Sequence, residues 1–302
     1  MTFSPSHLAA LSAEISGLAS AAAPSLVAIG DRGQTLSGFL WRPDVIATAS
    51  EALAAVRGET VPVLLDGEAK GEGVVIGHDP TTDLALIRIA KPGVALSNTA
   101  PAPLTVGEVV VAAGRNRHGA TGAFGFVALS GGPWRSRRGG EISQRVWLDL
   151  RLMRQSEGAA VLDATGRLRG MAVLGPMRRV LMIPHDTIER AGQELLAHGR
   201  IRRGYLGVRV QPVRVVPRTD GSEAEGKAGL MVLGLDPQGP ATAVGVLQGD
   251  IILAVNGQVP HSPRALLRLL PGQLIGQSVT LDLVRSAATL QIAVIIGEGP
   301  AQ

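Results

Sequence analysis

The sequence predicts a mainly β protein with two units: a larger one made of two small antiparallel barrels, then a smaller α+β unit. Three observations support this fold class. Hydrophobic residues make up 45% of the chain but aromatic residues only 3%, and 39 glycines and 19 prolines supply many turns. Short strand-like runs also recur in two series of about six, a pattern typical of paired barrels.

One clear amphipathic helix separates the two units. It is predicted to begin at His185-Asp186 and to stop at Gly199. The expected domains are therefore residues 1–199 and 200–302. Residues 214–227, within the second domain, have the composition of a loop.

The N-terminal segment predicts a second amphipathic helix, because Leu8, Leu11, Ile15 and Leu18 fall on one helical stripe. It lacks the basic and apolar regions of a secretory signal. The expected location is the cytoplasm if Met1 is the native start, and the periplasm if a signal has been removed.

Composition excludes several classes of function. The chain has no cysteine, which excludes disulfides and thiol catalysis. Its net charge is +4, and its arginine clusters have no nucleic-acid-binding module beside them, so solvated loops are the expected interpretation and no nucleic-acid partner is expected. No apolar run approaches the length of a membrane span.

Several segments, in this order, resemble the HtrA/Deg family: "PSLVAI", "SGFL", "HDPTTDLALIRI", "VGEVVVAAG", "LDATGRLRGM", "MIPHDTIERAGQELLAHGRIRRGYLGV" and "GPATAVGVLQGDIILAVNGQ". The resemblance implies a trypsin-like double six-stranded β-barrel followed by a C-terminal PDZ domain. Active members of this family hydrolyse peptide bonds with a Ser-His-Asp triad, whose roles require a hydroxyl nucleophile, a base and an orienting anion.

Two of the three triad positions are readily assigned through the resemblance. Asp83 in "DPTTDLALIRI" matches the triad aspartate. Where the family has Thr-Asn-Ala-His, this chain has Thr48-Ala49-Ser50-Glu51, so a glutamate stands at the position of the general base.

The nucleophile position is assigned by counting along the family pattern. Counting forward from Asp149 and back from Asp163, both without a gap, leads to Glu157. The neighbouring Ser156 is the alternative nucleophile, but it requires a deletion before it and an insertion after it. Gln155 replaces a glycine of the oxyanion-hole turn, where positive φ comes easily only to glycine.

Glu51, Asp83 and Glu157 are therefore expected to converge. Three close carboxylates must share a proton, pair with cations or point apart. The favoured interpretation is an inactive site with the acids turned to water or paired with arginine, for which Arg151 and Arg154 are candidates. The resemblance implies no cofactor; a Ca²⁺ or Mg²⁺ ion held by the three acids is an alternative hypothesis.

The second unit keeps the residues that the resemblance assigns to peptide binding. Tyr205-Leu206-Gly207-Val208 matches the loop whose backbone N–H groups hold a terminal carboxylate in PDZ domains. Leu206 and Val208, with Leu266 and Leu267, are expected to line the pocket for the last side chain of the peptide. The alternative is that these are ordinary core residues.

The sequence thus predicts an inactive HtrA-like protein that binds polypeptides or protein C-termini as an adaptor, chaperone or regulatory subunit. An active HtrA-like protease is a possible partner, and a homo-oligomer, in particular a trimer, is expected from the resemblance. Two alternatives remain open at this point: a serine endopeptidase that uses Ser156, and a structural or metal-binding protein built on the carboxylate cluster.

Overall fold

The computed structural model forms two compact units, Met1–Arg200 and Ile201–Gln302. It describes residues 7–30, 35–54, 56, 58–65, 71–97, 102–215, 227–286 and 288–300. The predicted loop over residues 214–227 lies, except for its two ends, outside the described residues. In the described part of the chain no helix is long and apolar enough to cross a membrane.

The first unit opens with the predicted N-terminal helix, α1 (His7–Ala22). Its apolar stripe is only partly buried. Ile15 and Leu18 are half-buried, whereas Leu8 is 75% and Leu11 43% exposed. The helix packs against two strands of the second barrel, β7 and β8, whose bounds are given below.

The first barrel is closed and antiparallel, with strand order β1-β2-β3-β6-β5-β4. A short helix, α2 (Ser50–Leu53), follows β3. The barrel core consists of aliphatic side chains, mostly Val, Ile and Leu, as the low aromatic content predicts. Its strands are β1 (Leu26–Ile29), β2 (Leu36–Arg42), β3 (Val45–Ala49), β4 (Thr60–Leu64), β5 (Gly71–Asp79) and β6 (Leu84–Ile89).

The second barrel is also closed, with strand order β11-β14-β13-β12-β7-β8. A small hairpin, β9 (Trp134–Arg135) with β10 (Glu141–Ile142), projects between β8 and β11. Two six-stranded barrels are therefore present, and the predicted fold class is confirmed. The barrel strands are β7 (Val109–Asn116), β8 (Gly119–Gly131), β11 (Arg145–Asp149), β12 (Ala159–Asp163), β13 (Leu168–Leu174) and β14 (Val180–Pro184).

Helix α3 (His185–His198) packs against strands of both barrels. It ends as predicted at Gly199, which has φ 68° and donates its N–H to the Leu195 carbonyl at 2.8 Å. Gly192 lies against the indole of Trp41, and a Cβ there would be 2.6 Å from Cη2 of that ring. The glycine therefore permits close packing of α3 on the first barrel.

The second unit is a five-stranded antiparallel sheet with two short helices, α4 (Pro240–Ala243) and α5 (Pro263–Arg268). The short strands β15 (Gly204–Tyr205) and β21 (Gly297–Glu298) pair separately. The sheet order follows the chain, so β16 and β20 are its edges. The sheet strands are β16 (Val208–Val215), β17 (Lys227–Leu235), β18 (Ile251–Val255), β19 (Ser278–Arg285) and β20 (Ala288–Ile295).

An ion pair with a buried carboxylate stabilises the second unit. Asp250 is 1% exposed, and its carboxylate accepts two hydrogen bonds of 2.7 Å from the guanidinium of Arg285. A further bond comes from the N–H of Leu247 at 2.8 Å. The Arg285 hydrogen bonds hold the pKa of Asp250 below its usual value, although burial opposes them.

Asp250→Asn should destabilise the second unit by about 1–2 kcal/mol, because it removes charge-assisted hydrogen bonds while the partly exposed guanidinium of Arg285 regains water. Calorimetry or urea unfolding of the whole chain measures the effect. Asp282→Asn is the control, since that carboxylate makes only an exposed hydrogen bond to Gln291, and its cost should stay below about 0.5 kcal/mol. Equal effects of the two variants would contradict the stabilising role of Asp250.

Candidate functional site

Asp83 stands where the turn between β5 and β6 ends. The turn is shaped by Asp79, whose carboxylate accepts hydrogen bonds from Thr81 N–H at 2.9 Å, Thr81 Oγ1 at 2.7 Å and Thr82 Oγ1 at 2.6 Å. Asp83 itself has φ 58°, a conformation that aspartate tolerates better than most residues. This local structure holds the Asp83 side chain against the start of α2.

Glu51 lies in the first turn of α2, directly beside Asp83. Its N–H donates to Oδ1 of Asp83 at 2.8 Å, and the N–H of Ser50 donates to the Asp83 carbonyl at 3.2 Å. The Glu51 side chain is 54% exposed and pairs with Nη1 of Arg138 at 2.9 Å. Asp83 therefore binds the backbone at this position, while the Glu51 carboxylate turns to a cation.

Arg138 reaches Glu51 because the β9–β10 hairpin packs against the first barrel. Ser136 Oγ donates to the carbonyl of Thr81 at 2.5 Å. Gly140 lies so close to Thr81 that an added Cβ would collide with its carbonyl. The sequence analysis missed Arg138, since it is one of several arginines in "WRSRR" and nothing local distinguishes it.

Glu157 follows a single 3₁₀ turn, Arg154–Ser156, and precedes β12. Its carbonyl accepts the N–H of Ser37 at 3.1 Å. The next residue, Gly158, has φ 89°, and a Cβ there would collide with the carbonyl of Ser37. A glycine is thus required directly after Glu157, where the turn touches β2.

The Glu157 carboxylate faces inward. The residue is 9% exposed, and its Oε1 accepts the backbone N–H of Leu174 at 3.1 Å. Its own N–H donates to the Arg154 carbonyl at 3.3 Å, within the 3₁₀ turn. Both the side chain and the backbone amide at this position are therefore engaged by the protein itself.

Ser156 is buried at 6% exposure and turns toward β8. Its hydroxyl forms a 3.2 Å hydrogen bond with Oγ1 of Thr121. Among the described residues Thr121 is the only hydrogen-bond partner of this hydroxyl, so no imidazole there activates it. The contact to Thr121 was not foreseen from the sequence, because the two residues are distant along the chain.

The three carboxylates interact electrostatically. Burial is the main cause that raises the pKa of Asp83 to about 7; the carboxylates of Glu51 and Glu157 add to the rise, and the Glu51 N–H and Arg138 oppose it. Burial also raises the pKa of Glu157, opposed by the Leu174 N–H, while Glu51 raises it further and Arg154 lowers it. The region around Glu51, Asp83 and Glu157, called the corner below, thus favours a protonated carboxyl near neutral pH.

These contacts define what the corner can do. Among the described residues no three His, Cys, Asp or Glu side chains are grouped so that they could hold a metal ion, and Glu51, Asp83 and Glu157 are all described. Of the two arginines considered as partners from the sequence, Arg154 lowers the pKa of Glu157, whereas Glu51 pairs with Arg138 instead.

A second group of candidate residues lies in the loop before β16. Gly207 has φ 78°, and a Cβ there would be 2.8 Å from Cα of Gly239. The carbonyls of Leu206 and Gly207 accept the N–H groups of Ala241 at 2.9 Å and Asp236 at 2.8 Å. In the described structure the N–H groups of Leu206 and Gly207 themselves donate no hydrogen bond. Two adjacent free donors suit an anion.

The remaining loop and pocket residues divide between core and surface. The Tyr205 hydroxyl donates to Asp236 Oδ2 at 2.9 Å. Leu206 and Leu266 are core residues, 2% and 4% exposed, and Val208 is half-buried against the same cluster. Leu267, by contrast, is 58% exposed on α5, which packs against β16.

Asp83→Asn should stabilise the protein by about 3–4 kcal/mol at pH 8, the linkage value of a shift of this size, and change little at pH 4. Because the folded-state pKa of Asp83 is about 7 against 3.8 for an ordinary aspartate, folded chains bind more protons between these values and lose stability as pH rises through the window. Asparagine keeps an acceptor for the Glu51 N–H and tolerates φ 58°.

Urea unfolding at both pH values measures this effect. Asp44→Asn serves as control, since Asp44 is 48% exposed and its nearest cation, Arg88, is 3.8 Å away. The free energy of unfolding of the wild type should fall from pH 4 to pH 8 relative to that of Asp83→Asn. If it does not fall, the raised pKa of Asp83 is contradicted.

Comparison with known proteins assigns a domain family to each unit. Residues 36–171 match the model of the trypsin-like peptidase domain, and residues 204–296 match the PDZ domain. A probable periplasmic serine endoprotease, DegP-like, of Brucella suis is 28% identical over 274 residues, which are 87% of this chain and 52% of that protein. The chain thus spans about half the length of the first of these relatives.

A second relative and two solved structures to which the chain is similar are also proteases. The serine endoprotease DegS of Haemophilus influenzae is 25% identical over 276 residues, covering 87% of this chain and 77% of DegS. The serine endoprotease structure from Yersinia pestis has a TM-score of 0.72 at 22% identity, covering 95% and 98% of the two chains. The HtrA-type protease AlgW with a decapeptide has a TM-score of 0.71 at 21% identity, covering 95% and 99%. The chain combines a trypsin-like peptidase domain with a PDZ domain and is homologous to the DegP-like and DegS proteases of the HtrA family.

Proposed function

We propose that this chain is a catalytically inactive HtrA-like protein that binds polypeptide C-termini as an adaptor, chaperone or regulatory subunit. The observation that carries the proposal is the pair of carboxylates at the positions of the base and the nucleophile, Glu51 and Glu157. Glutamate at either position removes the imidazole or the hydroxyl on which hydrolysis depends.

The contacts of Glu157 support placing it, rather than Ser156, at the nucleophile position. Its charge is coupled to Asp83 and Glu51, whereas the Ser156 hydroxyl turns to Thr121. The Glu157 N–H, which an oxyanion hole would need, is used inside the 3₁₀ turn. The Glu157 carboxylate does not act on the Ser156 hydroxyl in this geometry, because its Oε1 accepts the N–H of Leu174 while the hydroxyl is bonded to Thr121.

Peptide binding is proposed for the loop Tyr205–Val208. Its two free N–H groups, from Leu206 and Gly207, suit a terminal carboxylate. Val208, Leu206 and Leu266 form an apolar wall, and Leu267 is exposed beside it. The solved structure of AlgW contains a decapeptide, which supports the assignment by analogy only.

An oligomer, in particular a trimer, is part of the proposal. Phe124 and Phe126 are 45% and 47% exposed on the same face of β8, with Val109 paired across from Phe126. Exposed aromatic patches of this kind are typical of interaction surfaces. Sedimentation velocity tests it, and a monomer at micromolar concentration would contradict it. An active HtrA-like protease is the proposed partner in a mixed assembly.

The proposed compartment is the periplasm, because the DegP-like relatives are periplasmic by name. Fractionation of cells that express the native gene tests this. Recovery with a cytoplasmic marker would instead support the cytoplasmic expectation.

The chain should cleave no casein and react with no fluorophosphonate probe, because loss of one essential triad member costs roughly 10⁶ in turnover in subtilisin. An active HtrA protease run in parallel controls the assay. Labelling that Ser156→Ala abolishes would contradict the proposal and favour an active serine endopeptidase. Calcium or magnesium binding that requires both Glu51 and Glu157 would instead support the metal-binding alternative.

Peptides with a free C-terminal carboxylate should bind the whole chain at least tenfold more tightly than their C-terminal amides. Gly207→Ala should abolish most of this difference, because alanine is strained at φ 78° and collides with Gly239. Gly245→Ala is the matched control: that residue has φ 81° but open space around it. Equal binding of carboxylate and amide peptides to the wild-type chain would contradict end recognition, however the variants fold.

A further inference from the structure

The edge strand of the second unit, β16, has one side paired and one side open. It pairs with β17 through residues 208–215, and no other described strand lies on its opposite side. Helix α5 packs against it. Unpaired backbone groups on such an edge are where an extended peptide adds as a further strand.

Side chains of β16 alternate between the two faces of the sheet. Val208 and Val210 are half-buried against the core, whereas Arg209 and Gln211 are exposed on the other face. Arg209 lies opposite Gly234 of β17. A Cβ on Gly234 would be 2.7 Å from Nη2 of Arg209, so the guanidinium lies over Gly234 of β17, on the paired side of β16.

Arg209 is not committed to an internal partner. It makes no hydrogen bond or ion pair with any residue that the structure describes. Three aspartates of the same unit are engaged elsewhere: Asp236 with Tyr205 and Gln238, Asp250 with Arg285, and Asp282 with Gln291. The long arginine side chain can turn from Gly234 toward a ligand on the open edge of its own strand, where its exposed charge is complementary to an acidic side chain.

We propose that Arg209 makes this domain selective for C-terminal segments whose last but one residue is acidic. The proposal rests on the peptide site proposed above. If the terminal carboxylate is held by Leu206 and Gly207, an added antiparallel strand has its last residue beside Val208. Its penultimate residue then lies beside Arg209, with its side chain on the same face of the sheet.

Pro212 limits the length of ligand that can pair with β16. Proline has no N–H, and on edge strands it lies where that group would face outward. Main-chain pairing therefore ends before Pro212. About four ligand residues can pair with β16, beside Val208 to Gln211. Selectivity therefore depends on few ligand side chains, and the side chain beside Arg209 contributes a large part of it.

Fluorescence anisotropy with the full chain tests the proposal. The probes are labelled eight-residue peptides ending in valine that differ only in a penultimate Glu, Gln or Lys, each as free carboxylate and as amide. The Glu carboxylate should bind about two- to fivefold more tightly than the Gln carboxylate, the range expected for an exposed cross-strand charge pair, and the Lys peptide more weakly than both. High salt should reduce the difference.

Variants assign the effect to one side chain. Arg209→Gln should remove the preference for Glu over Gln, and Arg209→Lys, which keeps the charge, should retain most of it. Equal binding of Glu and Gln peptides to the wild-type chain, or a preference that survives Arg209→Gln, overturns the proposal while carboxylate binding itself stands. If no carboxylate peptide binds better than its amide, the proposed peptide site fails as well.

Discussion

Ser37 is the junction on which the first unit depends. It is fully buried, and its hydroxyl exchanges hydrogen bonds of 2.9 and 3.0 Å with the carbonyl and N–H of Arg115 on β7. Its own N–H donates to the Glu157 carbonyl at 3.1 Å, and its carbonyl accepts Oγ1 of Thr48 at 2.7 Å. One small polar residue of the first barrel thereby holds two segments of the second, one of which carries Glu157, whose charge acts on Asp83.

We propose that this group of carboxylates occupies the place of a catalytic triad. A triad needs a hydroxyl nucleophile hydrogen-bonded to its base, whereas the hydroxyl of Ser156 is hydrogen-bonded to Thr121. Backbone donors and two cations oppose the repulsion between the acids: the N–H groups of Glu51 and Leu174, and the guanidinium groups of Arg138 and Arg154. This arrangement binds a proton near neutral pH and costs stability when Asp83 is ionised, so we place the proposed activity in the PDZ domain instead.

Most of the fold could be predicted from the sequence, and the site contacts that were not predicted were missed for physical reasons. Strand periodicity predicted both barrels, and the pattern up to Gly199 predicted α3, since these signals are local. The Arg138–Glu51 and Ser156–Thr121 contacts were missed because they join segments distant in sequence, among several residues of the same type. Leu266 and Leu267 looked alike, but α5 has only six residues, too few for periodicity to tell the buried one from the exposed one.

The central claim is that the chain binds polypeptide ends without cutting them, and one experiment measures both parts. The whole chain is titrated with a peptide that carries a free C-terminal carboxylate, and the same sample is analysed by mass spectrometry after prolonged incubation. The account predicts saturable binding and recovery of the intact peptide. Cleavage products that disappear in the Ser156→Ala variant would contradict it.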